Sequence, residues 1–308
     1  MKYIHTADEH LRLDRPLCRT DLDWMQTQTD ILTFIVDKAN ELDADWLIGG
    51  DLFDVPRVPP SIINMFLNAV RRLDNKCYII AGNHCLPWHK QENLMDSSIG
   101  ILASLTDKKI HYLPCEEYNN EGRFEHSVAL TDDVLLVHTL TFPTEEDIPY
   151  GANATHSLQL LQKYPKCKFI LTGDMHQSFV FKDKDRYVIN PGCTTIQTAD
   201  MLDYQPKVYF IDTGDKIDVT TQQDKEPVYR YGNVKIEAIN LPNDVALLTD
   251  SHLKEKKDRD SRIDSFIQTV KKNGKMTLSF EDNLKKAMET SGLSQDVISI
   301  LEEIRSEE

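Results

Sequence analysis

The sequence predicts an α/β fold whose first half is a β-α-β-α-β series. Three observations carry that reading. Short apolar runs occur at 3–6, 46–48 and 77–81. Each run ends in a loop dense in Asp, Asn and His, and the first two loops lead into segments with apolar residues at helical spacing. In sheets of this type chemistry collects at the carboxyl ends of the strands.

The first run ends at Asp8-Glu9-His10. A helix is predicted over 23–42, because Met25, Ile31, Leu32, Ile35 and Ala39 fall on related faces. Trp46-Leu47-Ile48 is a buried strand that ends in Gly49-Gly50-Asp51. Pro59-Pro60 introduces a second helix over 61–73, with Ile62, Ile63, Phe66, Leu67, Val70 and Leu73 as its stripe. The third strand, 77–81, ends in Gly82-Asn83-His84. After Ser98 the pattern turns strand-rich: 134–137 leads into His138, 168–172 into Gly173-Asp174-Met175-His176, and 187–190 into Pro191-Gly192. Segments 207–212 and 216–220 read as a hairpin around Thr213-Gly214-Asp215. A polar stretch at 221–227 marks the expected boundary between a domain spanning 1–222 and a smaller α+β domain spanning 228–308. The latter is predicted to hold a strand at 229–239 and helices at 260–272, 280–290 and 294–305.

Composition narrows the function. The 308 residues suffice for a sizeable core, and 40% apolar with 28% charged residues fits a globular chain. No uncharged apolar run approaches the ~18 residues of a membrane span, and the early carboxylate at Asp8 is unlike a signal peptide. The six cysteines are dispersed and never form C-x-x-C, which argues against a disulfide scaffold and for a reducing, cytoplasmic setting. A net charge of −15 argues against a simple basic nucleic-acid coat. Segment 254–286 carries ten Lys/Arg against six Asp/Glu, which reads first as solvated helix surface.

Five strand-end clusters supply metal ligands: Asp8-Glu9-His10, Gly50-Asp51-Leu52-Phe53-Asp54, Gly82-Asn83-His84, His138-Thr139 and Gly173-Asp174-Met175-His176. Each alone is an ordinary loop. Five in order, each after an apolar run, predict one shared pocket. Mixed Asp, Asn and His donors suit Mn²⁺, Fe²⁺ or Zn²⁺ better than all-oxygen cations, and a carboxylate can bridge two of them.

This order of motifs resembles the calcineurin-like metallophosphoesterases, and within them the SbcD-type nuclease subunit of bacterial and phage double-strand-break repair complexes. Ile4-His5-Thr6-Ala7-Asp8-Glu9-His10, Asp51-Leu52-Phe53-Asp54 with Pro59-Pro60-Ser61, and Asn190-Pro191-Gly192-Cys193-Thr194 carry the likeness, which covers about 1–215. The resemblance implies a four-layer α/β/β/α sandwich with a small cap. It implies two divalent cations, Mn²⁺ first and Mg²⁺ second. Asp8, His10, Asp51 and His176 would hold one cation. Asp51 would bridge, and Asn83, His138 and Asp174 would complete the second site. His84 would lie beside the scissile phosphate as the catalytic group. The implied activity is exo- and endonucleolytic cleavage of DNA in repair, recombination or replication. The implied partner is an SMC-like ATPase of the SbcC type, with a homodimer left open. Two positions depart from the family: Asp174 replaces a usual His, and Cys85 replaces a usual acid. A metallophosphatase acting on nucleotides or phosphoproteins, and a weakly catalytic scaffold that docks the ATPase, remain alternatives.

Overall fold

Strands that are apolar on both faces need a layer on each side, and this chain builds four. The computed structural model describes residues 1–105, 107–115, 117–118, 124–218, 229–243 and 245–272. The chain runs β1 (Lys2–Thr6), α1 (Trp24–Leu42), β2 (Asp45–Ile48), α2 (Pro60–Arg71), β3 (Cys77–Ile79), α3 (Ser98–Ala103) and β4 (Ile110–Tyr112). It continues through β5 (Glu117–Tyr118), β6 (His126–Ala129), β7 (Val134–His138), β8 (Thr141–Phe142), β9 (Thr155–His156) and α4 (Ser157–Lys163). Next come β10 (Phe169–Gly173), β11 (Phe179–Asp183), β12 (Arg186–Asn190), β13 (Lys207–Asp212), β14 (Asp215–Asp218), β15 (Tyr229–Gly232), β16 (Lys235–Asn240) and α5 (Ser251–Lys272).

One sheet has the order β16-β13-β1-β2-β3-β4, the other β11-β12-β10-β7-β6-β5. β1 to β4 are parallel, as are β7, β10 and β12, so their carboxyl ends share an edge within each sheet. Side chains alternate between layers with the period of two that a strand imposes. In the first sheet Ile4, Trp46, Ile48, Ile79 and Phe210 pack with Ile35 and Val36 of α1 and with Ile62 and Phe66 of α2. Their neighbours Tyr3, Leu47, Tyr209 and Ile211 turn the other way, onto Leu136, Phe169, Leu171 and Ile189 of the second sheet. Leu135, Val137, Ile170 and Val188 then meet Leu160 and Leu161 of α4. The three apolar interfaces define the predicted α/β/β/α sandwich.

The predicted helices form for local reasons as well. Asp23 caps α1, accepting from the Gln26 amide at 2.9 Å. Asp43 ends it in the left-handed region. Pro60 opens α2, where a missing N–H costs nothing.

The chain divides into two compact units, Met1–Thr249 and Asp250–Glu308, and this moves the expected boundary from 221–227. The reason is β16, which pairs with β13 along its whole length and so belongs to the first sheet. The predicted hairpin is also corrected. Among the described residues, 207–212 and 216–218 do not pair with each other; β13 pairs with β16, and β14 pairs with β15. In the second unit α5 starts nine residues before the predicted 260. Its first turns are polar and lack an apolar stripe, yet they are stabilised by an Asp250–Lys254 ion pair of 2.8 Å at i,i+4 spacing. The segments 221–227, 280–290 and 294–305 lie outside the described residues. No described helix is long and apolar enough to cross a membrane.

Candidate metal centre

The loops after β1 and β2 run side by side. The Asp8 amide donates to Gly50 O at 3.1 Å, His10 to Asp51 O at 3.0 Å and Leu11 to Leu52 O at 2.9 Å. Asp8, His10 and Asp51 hold φ of 54°, 45° and 50°, the left-handed region that non-glycine residues seldom enter. The paired loops enforce that conformation, and it aims three donors at one spot. Two glycines make room. A Cβ on Gly50, whose φ is +103°, would collide with the His138 ring, and one on Gly82 would collide with the Asp51 carboxylate.

All eight predicted residues form one connected group. On one side His10 Nε2 lies 3.2 Å from His176 Nε2 and 3.9 Å from Asp8 Oδ1. On the other, His138 Nε2 faces Asn83 Oδ1 at 2.9 Å, Asp51 Oδ2 at 3.3 Å and Asp174 Oδ1 at 3.8 Å. Asp8 joins the two halves, because its carboxylate also accepts the Asp174 amide at 3.0 and 3.2 Å. His84 sits at the exposed rim. Its amide donates to Asp51 Oδ1 at 2.8 Å, and its ring is 4.9 Å from that of His10, edge to face.

Electrostatics identify what this group is built to hold. Burial pushes the Asp8 carboxyl well above the usual range, and the neighbouring charges of Asp51 and Asp174 add to it. Burial alone would lower the His138 pKa, but the Asp51 carboxylate, with Asp174 and Asp8, more than offsets this and pushes it up to about 10. Asp51 is itself held below the ordinary carboxylate range by His138, His10 and His84, against the opposing effect of burial. Burial, with His10 beside it, lowers His176 to about 4. Asp8, Asp51 and His138 are at most 1% exposed. Buried carboxylates facing imidazoles, with His10 Nε2 turned toward Asp8 and His176, are a donor set that divalent cations fit. Among the described residues three groups of donors converge within 4.8 Å of one another: Asp8 with His10 and His176, Asp8 with Asp51 and His138, and, toward the exposed side, His10 with Asp54 and His84. Asp8 is therefore the carboxylate common to the two buried groups, alongside the Asp51 expected to bridge. His138 also has the supporting contact a ligating imidazole needs, since its Nδ1–H donates to Gly49 O at 2.7 Å.

Asp174 reaches the site by a route other than the expected one. The two-residue offset to His176 suggests side chains on one strand face, but β10 ends at Gly173 and Asp174 has φ of 81°. The turn sends Asp174 toward His138 and His176 toward His10, into opposite halves. Cys85 is a fully buried thiol packed in the first core, its pKa pushed up to about 12 by burial.

Two residues were not singled out from sequence. Asp54 supports the buried His10 and the exposed His84. Its Oδ1 is 3.4 Å from His10 Nδ1, its carbonyl accepts His84 Nδ1–H at 3.0 Å, and its Oδ2 pairs with Arg12 at 3.1 Å. The signal was present, as the last residue of Gly50-Asp51-Leu52-Phe53-Asp54. Asn190 is fully buried and fixes the loop bearing Asp174 and His176. It donates to Met175 O at 2.6 Å and Gln177 O at 2.9 Å, and accepts from Thr172 Oγ1 at 3.1 Å.

A two-layered β core with this cluster at its strand ends defines a metal-dependent esterase scaffold. The calcineurin-like phosphoesterase family model matches residues 1–178, and the chain belongs to that family. No curated protein matches it. Among solved structures it is similar to an archaeal phosphodiesterase at 16% identity and TM-score 0.39, covering 78% of this chain and 100% of the other. Vps29 of Entamoeba histolytica, in complex with Zn²⁺, has 13% identity and TM-score 0.37, covering 78% and 99%. A predicted phosphoesterase of Streptococcus pneumoniae has 12% identity and TM-score 0.34, covering 77% and 97%.

Proposed function

We propose that this chain is a divalent-metal-dependent phosphodiesterase that cleaves DNA and works with an SMC-like ATPase of the SbcC type. The observation that carries the phosphodiesterase reading is the two buried donor groups sharing Asp8, with His10, Asp54 and the exposed His84 forming a third toward solvent. Asp8, His10, Asp51 and His176 would hold one cation, and Asp51, Asn83, His138 and Asp174 the other. Two divalent cations, when bound, offset phosphate charge and make a water acidic enough to supply the nucleophile near neutral pH. The mixed nitrogen and oxygen donors favour Mn²⁺.

The protein's own groups do the rest. Because Asp54 O can only accept, His84 carries its proton on Nδ1. Its Nε2 is the ring nitrogen left for the substrate; when the imidazole carries a second proton there, that N–H can stabilise charge on the phosphate or pass its proton to the leaving oxygen. The Asp51 carboxylate, by accepting the His84 amide, fixes that residue's main chain relative to the metal ligands, and Asp54 O orients its ring. DNA as substrate rests on the likeness of residues 1–215 to SbcD-type subunits. The ATPase partner is consistent with a net charge of −15, which leaves phosphate attraction to another subunit.

The test is cleavage of end-labelled linear duplex and single-stranded DNA with Mn²⁺, Mg²⁺ or chelator, alongside an aryl phosphodiester and an aryl phosphomonoester. Chelator-sensitive DNA cleavage, strongest with Mn²⁺, is expected. Turnover of the monoester alone would make the chain a phosphatase, and no turnover would make it a scaffold. Calorimetric titration with Mn²⁺ should show two sites in the native protein and neither at full affinity in Asp51→Ala; an unchanged pair would remove Asp51 as bridge.

A further inference from the structure

The segment after His84 presents a tryptophan to solvent in a way that packing does not explain. Trp88 is 81% exposed, whereas Trp24 and Trp46 are 5% and 0% exposed. An indole has a large apolar surface and is ordinarily placed where that surface is covered. Here the backbone turns it outward. Trp88 and His89 have φ of 52° and 56°, two consecutive non-glycine residues in the left-handed region.

A set of hydrogen bonds holds this conformation. The His89 amide donates to Leu86 O at 3.0 Å, Lys90 to Pro87 O at 3.2 Å, and Asn93 Nδ2 to Pro87 O at 3.2 Å. His89 Nδ1 donates to Asn83 O at 2.7 Å, which ties the turn to the main chain of an expected metal ligand. Leu86, 1% exposed, anchors it in the core. Unfavourable backbone held this firmly is found where a side chain must be aimed. The aimed side chain is a flat, uncharged π surface, one residue from a ring that touches the Asn83 main chain.

We infer that Trp88 is a stacking platform for a nucleobase of the substrate strand flanking the scissile phosphate. The inference rests on the nuclease reading above. An aromatic face binds any base, because every base has a π face, and it does so without phosphate neutralisation. That suits an acidic chain, which cannot hold a strand by charge alone. Trp88 would hold the strand in register while the metal ligands and His84 address the phosphate. Because the base does not react, the contact serves binding in the ground and transition states alike, and its loss falls on KM rather than kcat.

The test uses the full chain and a thymidine oligonucleotide, with an oligonucleotide of equal length that carries abasic sites as the comparison. Trp88 is the single exposed tryptophan of three, so its emission reports on the platform. In chelator, the thymidine oligonucleotide should quench tryptophan emission, the abasic one should not, and Trp88→Phe should lose the quenched component. With Mn²⁺, Trp88→Ala should raise KM for the thymidine oligonucleotide roughly 5- to 150-fold, the range that stacking one base spans. Trp88→Phe should recover part of that loss, and kcat should hold. Native protein that cuts the oligonucleotide, with KM unchanged in Trp88→Ala and emission blind to bases, would overturn the inference and leave the nuclease reading intact. The indole would then belong to a protein contact. Native protein that hydrolyses the aryl diester but cuts no oligonucleotide would remove the nuclease reading and this inference together.

Discussion

Asn190→Ala isolates how the fold holds half of the candidate site. Asn190 is fully buried and makes three hydrogen bonds: two donated, to Met175 O and Gln177 O, and one accepted, from Thr172 Oγ1. Alanine removes all three partners at once. Thr172 Oγ1 keeps an alternative acceptor in Ile189 O at 3.5 Å, so its loss is partly recovered. The two carbonyls have no such substitute on the Asn190 side. A buried polar group left unsatisfied costs about 1–3 kcal/mol, and carbonyls relax more readily than amides. The expected loss is therefore about 2–4 kcal/mol. For a unit of this size each kcal/mol lowers the melting temperature by roughly 2–4 °C, so the variant should melt roughly 5–15 °C below the native protein. The loop from Asp174 to Ser178 should loosen too. Removing a contact that orients a ligand costs about 10- to 100-fold in metal affinity, so Mn²⁺ titration should weaken by that much. Urea unfolding and calorimetry measure both. A stability loss under about 1 kcal/mol with unchanged Mn²⁺ affinity would refute the reasoning, because the loop would then be held by something else.

Other changes probe separate links. Gly82→Ala places a Cβ against the Asp51 carboxylate and its amide, so it should displace Asp51 and depress divalent binding at least as far as Asp51→Asn does; native-like Mn²⁺ titration would show that the strand end can yield. Asp21→Ala leaves Arg19, 4% exposed, without its paired carboxylate and should cost about 3–5 kcal/mol at pH 7. Burial raises the Asp21 pKa, but hydrogen bonds from Arg19 and Thr27 and the Arg19 charge outweigh it, so the folded value is depressed. Its contribution is then full above the unfolded value of about 4 and is lost as pH falls through the folded value. The gap between native and variant stability should shrink below about pH 4, and a gap independent of pH would contradict the assignment. Asp174→Asn should weaken one of two Mn²⁺ sites and be partly rescued by excess Mn²⁺, whereas Asp174→His should tolerate Zn²⁺ better; two unaltered sites in Asp174→Ala would exclude Asp174 as a ligand.

The sequence by itself determined the local elements and the donors. The apolar runs at 46–48 and 77–81 read as buried strands, the second of which ends at Ile79, and the stripes of 23–42 and 61–73 as helices packed on them, because spacing dictates which faces are apolar. The order of Asp8, His10, Asp51, Asn83, His84, His138, Asp174 and His176 after such strands was legible for the same reason. Tertiary structure decided what depends on distant pairing. Nothing local in 235–240 says that β16 extends the first sheet beside β13, so the boundary at 249 could not be read from composition. Only the turn at Asp174 decides that it faces His138 while His176 faces His10. The roles of Asp54 and Asn190 arise from contacts with segments distant in sequence, to His10, Arg12 and His84 and to the loop after β10, rather than along one segment. Hydrogen bonds between loops leave no periodic trace in a sequence, whereas burial of a strand or helix face does.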